Sequence, residues 1–271
     1  MMPPLRSTPD YSPKRVLVHN ALEEAWTAYL HPTEPTEDID LVWALSAPGT
    51  VKTPAQFEQE PENPYNGESF NVGIVNHAVS VVLKVTALRT GKTVEEVTKD
   101  DIINRGPKLL YNGESLKTKG TRFSSQNEDF LELCRHVDFP IPFQNIIIGE
   151  IAEAHTPAQV KQLAELLRRD DGVPPPRKVA VVCGIPHMVR TGRYLQHFRT
   201  LFSDGTSFVP SVIPQGSKEK MSKLTALEVR KALFYAAVGH LDPSSIFFPN
   251  GVPDARPRNV LRDQRTTRQH K

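Results

Sequence analysis

The sequence predicts an α/β fold built on a mainly parallel sheet. Two observations carry that expectation: five short apolar runs closed by turn-forming residues, and helical patterns in the intervals between them. Strands separated by helices imply βαβ crossovers, and crossovers imply parallel neighbours. The 271 residues, 38% hydrophobic and 24% charged, can bury such a core and match an ordinary folded chain.

In chain order, Arg15 to Leu30 opens as a short strand and continues as a helix. Leu41 to Leu45 is apolar throughout and is broken by Ser46, Pro48 and Gly49; apolarity on both faces fits a strand covered on both sides. Residues 53–66 are polar and rich in Pro, Glu and Asn, a long loop. A long helix follows over 68–90 with Gly91 as its stop, then a short one over 94–103 with the capping pattern Thr93-Val94-Glu95-Glu96. Gly106 to Glu114 is a second strand ending in Asn-Gly. The helix over 127–137 sets Phe130, Leu131 and Cys134 on one face. Gln144 to Glu150 is the third strand. In the helix from Thr156 to Arg169, Thr156 suits the N-cap, Pro157 the first turn, and Val160, Leu163, Leu166 and Leu167 the apolar stripe. Residues 179–184 form a fourth strand, 189–202 a helix burying Leu195, Phe198 and Phe202, 207–214 a fifth strand and 225–241 a last helix. The 24 prolines gather at ends and connections, where a missing N–H does least harm. The resulting division is a partly ordered N-terminal extension over 1–37, an α/β domain over 38–241 and a basic tail over 242–271.

Charge and composition narrow the function. A net charge of +2, from 33 basic and 31 acidic side chains, gives no support to a nucleic-acid surface. No run approaches the ~18 apolar residues of a spanning helix, and MMPPLRSTPDYSPKR has no apolar leader core. Cys134 and Cys183 form no C-x-x-C pair, so neither a disulfide framework nor a thiolate zinc site is expected, and a cytoplasmic setting is. His19, His31 and His77 have no metal-ligand spacing, so no metal is expected. Walker, G-x-S-x-G, H-E-x-x-H and G-x-G-x-x-G patterns are all missing.

In parallel sheets ligands bind beyond the carboxyl ends of the strands. That rule gathers Ser46 and Gly49, then Asn112, Gly113 and Glu114, then the segment around Thr156, and last Gly184, His187 and Arg190 on one rim. A helix start offers free N–H groups to an anion, Arg190 a two-pronged contact, and His187 a donor or a general acid or base. His187 as a helix cap with Arg190 paired to a nearby acid stands equally open. Asn112-Gly113 also fits an ordinary turn, Glu128 also fits a carboxylate meeting a helix dipole, and Cys183 fits a buried structural thiol.

The order of these motifs resembles the YdcF/SanA-like family, the domain of unknown function 218. ALSAPGT stands for its first loop, LLYNGE for its Ser-Gly-Gly-like turn, SQNEDFLEL for its glutamate helix with Glu128, EAHTPAQV for its Asn-Thr-like helix start with Thr156, and VVCGIPHMVRTGRYL for its His-x-x-Arg segment. The resemblance covers about 38–202. His155 replaces the family's asparagine before Thr156, Gln159 a second asparagine, and Cys183-Gly184 a Thr-Ser-like pair. The resemblance implies a Rossmann-like three-layer sandwich and a nucleotide-like ligand, S-adenosylmethionine for some members. Anchored relatives act at the cell envelope, a role that transfers poorly to a chain without such an anchor.

The expected function is binding of a small anionic, nucleotide-like ligand (S-adenosylmethionine or a phosphorylated metabolite), extending to small-molecule transfer. His187 and Glu128 are the catalytic candidates; Ser46, Gly49, Asn112, Gly113, Glu114, Thr156, Gly184 and Arg190 are the ligand contacts. The alternatives are a phosphate-ester hydrolase and a non-catalytic interaction module using Arg256 to Lys271, for which the sequence identifies no protein partner.

Overall fold

The computed structural model describes residue 27 and residues 32–46, 70–114, 125–136, 138–151, 155–168, 176–213 and 218–237. The 53–66 loop, Gly49, the basic tail and most of the 1–37 extension lie outside them, as does Arg15 to Leu30 except Thr27, which is helical.

Five strands form one parallel sheet: β1 (Leu41–Ala44), β2 (Lys108–Tyr111), β3 (Ile146–Ile148), β4 (Lys178–Gly184) and β5 (Ser207–Ile213), in the order β3-β2-β1-β4-β5. β1 is central and fully buried, with Val42 level with Leu109 on one side and Ala180 on the other. β5 is an edge strand, which accommodates Pro210, a residue with no N–H for a ladder.

Among the described residues the helices over 70–237 are α1 (Phe70–Thr90), α2 (Lys99–Arg105), α3 (Gln126–Arg135), α4 (Thr156–Leu167), α5 (Ile185–His197) and α6 (Lys218–Ala237). They make the sheet the middle of three layers. Val42, Ala44, Leu109, Tyr111, Ala180 and Val182 pack with residues of α1, α2 and α3, among them Ile74, Val82, Ile102 and Phe130. The alternate residues Trp43, Leu45, Leu110, Val181 and Cys183 pack on the other face with Val160 and Leu163 of α4, Val189 and Leu195 of α5, and Val229 of α6. This is the period-2 alternation of a strand whose two faces are both covered.

Several boundaries differ from expectation. Residues 94–103 hold no single helix: a 3-10 turn at Val94–Glu96 is followed by α2, whose cap is Thr98 with Asp101 closing a capping box. The buried face of α3 is Asn127, Phe130, Leu133 and Cys134, so Leu133 takes the place assigned to Leu131; spacings of three and four residues select it. α5 begins at Ile185, directly from the strand, and ends at His197 before a 3-10 turn at Arg199–Leu201. α6 starts at Lys218. The stop of α1 is as expected: Gly91 has φ +67°, and Lys92 N–H donates to Ala87 O at 3.1 Å, the bond of a Schellman ending.

Candidate functional site

The strand order fixes where a crevice lies. The chain runs from β1 through α1 and α2 to β2 on one face, and from β4 through α5 to β5 on the other. The two connections leave adjacent strands in opposite directions, so β1 and β4 flank the topological switch point, where ligands of such sheets bind. Ser46 follows β1 there and Gly184 ends β4 there.

Beside it, at the carboxyl ends of β1 and β2, lies a buried polar cluster. Trp43 Nε1 donates to Asn112 Oδ1 at 2.8 Å, and Asn112 Nδ2 donates to Gln159 O of α4 at 3.0 Å. Gln159 Nε2 donates to Ser46 Oγ at 2.7 Å and to Asn112 O at 3.1 Å; the Ser46 hydroxyl donates in turn to Asn112 O at 3.4 Å. Asn112 is wholly buried, so its amide serves the fold by joining β1, β2 and α4. A second pair works alike: Asn127 Oδ1 accepts from Gly113 N at 2.9 Å, and Asn127 Nδ2 donates to Gly149 O at 2.7 Å.

Gly113 does not adopt positive φ, the conformation an Asn-Gly turn invites. A Cβ there would come within 2.7 Å of the Tyr111 ring and 2.8 Å of Gln126 Cβ, so close packing of the protein itself requires the glycine. Glu114 pairs with Ile151 in an isolated parallel bridge that prolongs the β2–β3 ladder, and its N–H donates to Gln126 Oε1 at 3.1 Å.

Glu128 is exposed and closes a capping box on α3: its N–H donates to Ser125 Oγ at 3.2 Å, and its Oε2 accepts from Ser125 N–H at 3.0 Å. Thr156 is buried as the first residue of α4, and the cap is His155, whose Nδ1 accepts from Ala158 N–H at 3.2 Å. The N-cap assignment therefore moves from Thr156 to its neighbour.

α5 differs from these capped helices. Its N-cap is Gly184, with extended φ and ψ and no side-chain cap, and Pro186 sits in the first turn. The N–H groups of a helix's first turn have no partner within the helix, no side chain caps them here among the described residues, and the helix dipole makes them attractive to an anion.

His187 is in the first turn and Arg190 one turn further on. Arg190 Nη2 lies 2.6 Å from His187 Nε2. Arg190 Nε lies 3.2 Å from Glu228 Oε2 on α6, an ion pair without hydrogen-bond alignment, since both atoms are buried with no hydrogen-bond partner. Lys231 Nζ completes the cluster, 2.7 Å from Glu228 Oε1. Of the two sequence-level alternatives for Arg190, the acid partner is thus present. Burial and the neighbouring charges of Arg190 and Lys231 press the His187 pKa down to about 3, and burial pushes the Cys183 thiol up to about 12.

The sequence reading brought Ser46, Asn112, Gly184, His187 and Arg190 to one rim, and all five lie at or beside the carboxyl ends of the central strands. It missed Trp43, Asn127 and Glu228. The signal for Glu228 was its place on the stripe of Thr225, Val229 and Ala232, where an acid is out of pattern. Among the described residues no group of His, Cys, Asp and Glu could hold a metal ion, and no helix is long and apolar enough to cross a membrane. No family model, curated protein or solved structure matches the chain.

Proposed function

We propose that the protein binds a small anionic, nucleotide-like ligand in the crevice between the carboxyl ends of β1 and β4, its anionic group on the first turn of α5. The observation that carries this reading is the coincidence of the topological switch point with an uncapped helix start. Membership of the YdcF/SanA-like family belongs to the same proposal, resting on the motif order, and it makes S-adenosylmethionine and phosphorylated metabolites the first ligands to try. Transfer chemistry is its extension. Ester hydrolysis with His187 as base has less support, because Nε2 is engaged by Arg190 and the ring is weakly basic. A cytoplasmic setting fits the two buried, unpaired cysteines.

The test compares Gly184→Asp with Gly184→Asn. Both side chains cap helices well and match in size, so steric effects cancel and only charge differs. Calorimetric titration with adenine nucleotides, S-adenosylmethionine and its demethylated product, sugar nucleotides and phosphorylated metabolites should show binding to wild type. The aspartate variant should bind at least about tenfold more weakly than the asparagine variant, or about 1.4 kcal/mol. Equal affinities would remove the anion from α5.

A further inference from the structure

Arginine has donors and no acceptor, so the 2.6 Å contact between Arg190 Nη2 and His187 Nε2 has one chemical reading. Nε2 must present its lone pair, and the ring proton must sit on Nδ1. A protonated imidazole would set two N–H groups against each other. Among the described residues, Nδ1 has no partner of its own.

Arg190 is itself held. Its side chain is 14% exposed and its Nε faces Glu228, which is 10% exposed and also pairs with Lys231. Without Glu228, the nearly buried Arg190 would lose its anionic partner among the described residues and keep a second cation, the partly exposed Lys231, nearby. Expelling Arg190 toward water is the cheap escape, because a buried charge deprived of its partner costs far more than an exposed one.

We infer that Glu228 is a positioning residue: through Arg190 it fixes His187 as a neutral ring carrying its proton on Nδ1, a permanent hydrogen-bond donor at the start of α5. The inference rests on the proposed ligand site for its purpose, and it deepens that site. A neutral donor beside the N–H groups of α5 recognises an anion without itself changing charge near neutral pH, so recognition does not switch off as pH rises through 6.5. The depressed basicity of His187 agrees with the geometry. The charged groups acting on the ring are Arg190 on its own helix and Lys231 on α6, and Glu228 on α6 pairs with both of them.

Long-range proton–nitrogen NMR of the ligand-free full chain tests this, with the His187 signals assigned by their loss in His187→Gln. Wild type should show protonated Nδ1 and bare Nε2, unchanged from pH 8 to pH 5. An Nε2-protonated ring, or titration with a midpoint near 6.5, overturns the inference without reference to any variant. In Glu228→Gln and in Arg190→Met the ring should become a mixture of tautomers at pH 8, with burial still holding its titration below 6.5. A His187 signal unchanged in a folded Glu228→Gln would remove Glu228 from the chain of control. No ligand enters these spectra, so they fail or succeed independently of the ligand titrations.

Discussion

Asn112 shows how one side chain can make a rim rigid. Its amide takes the Trp43 indole N–H and gives to the Gln159 carbonyl, so three elements meet on two atoms, all out of contact with water. Asn112→Ala should cost about 1–3 kcal/mol for each group it orphans, and Trp43→Phe should also destabilise. Urea denaturation of both single variants and the double would measure their coupling, expected at about 0.5–3 kcal/mol. Strict additivity would mean that the indole and the amide do not depend on each other. At this scale the sequence was half legible. That Asn112 ends a strand could be read from LLYNG, but not that its amide is consumed internally, because Trp43 and Gln159 lie 69 and 47 positions away.

Elements were legible only in part from the chemical marks at their ends. Gly91 stops α1 in the left-handed region as the sequence placed it, whereas the capping pattern at Thr93 opens only a 3-10 turn, and the boxes at Thr98 and Ser125 that open α2 and α3 went unread. α5 was placed four residues late because its true start carries neither a side-chain cap nor an acidic first turn. Glycines allow a clean comparison. An added Cβ at Gly91 or at Gly205 meets nothing within 4 Å, but only Gly91 has positive φ. Gly91→Ala should therefore destabilise by ~1–2 kcal/mol through backbone strain alone, and Gly205→Ala should be stabilising by ~0.4–1 kcal/mol through the unfolded chain. Thermal melts of the two variants shifting in the same direction would contradict this assignment of backbone conformations.

For the molecule as a whole, acid stability follows from groups on both faces of the sheet. His77 on α1, bonded to Ser211 at 3.0 Å, is held near 4 mainly by burial, and His187 near 3. Both stay neutral in the fold while the unfolded chain protonates near 6.5, so they favour unfolding as pH falls below that value. Asp129 acts oppositely: burial and the charges of Glu132 and Glu128 raise it to about 6, so the fold holds a proton that the unfolded chain has released. The two histidines outnumber the one aspartate, and stability should drop between pH 7.5 and 5.5. In the double variant His77→Gln, His187→Gln that loss should vanish or reverse, as urea midpoints at the two pH values would show. An undiminished loss would place the acid sensitivity elsewhere. The three-layer architecture was legible because strands buried on both faces are written as continuous apolar runs. The order of the strands was not, since nothing in a sequence states which run lies beside which.

On the ribosome, that order makes β1 wait. The backbone N–H of Arg177 reaches the Asp40 carboxylate across 137 positions, and β4 cannot pair before it exists. At ~5–20 residues per second the interval is roughly 7–27 s. Until β4 emerges, the chain can assemble at most β3, β2 and β1 of the five strands, with β1, buried in the finished sheet, as an open edge. Such an edge is a template for pairing with another chain. A nascent chain halted before Gly184 is therefore the sticky species, and protection by a chaperone matters most before β4 closes the gap.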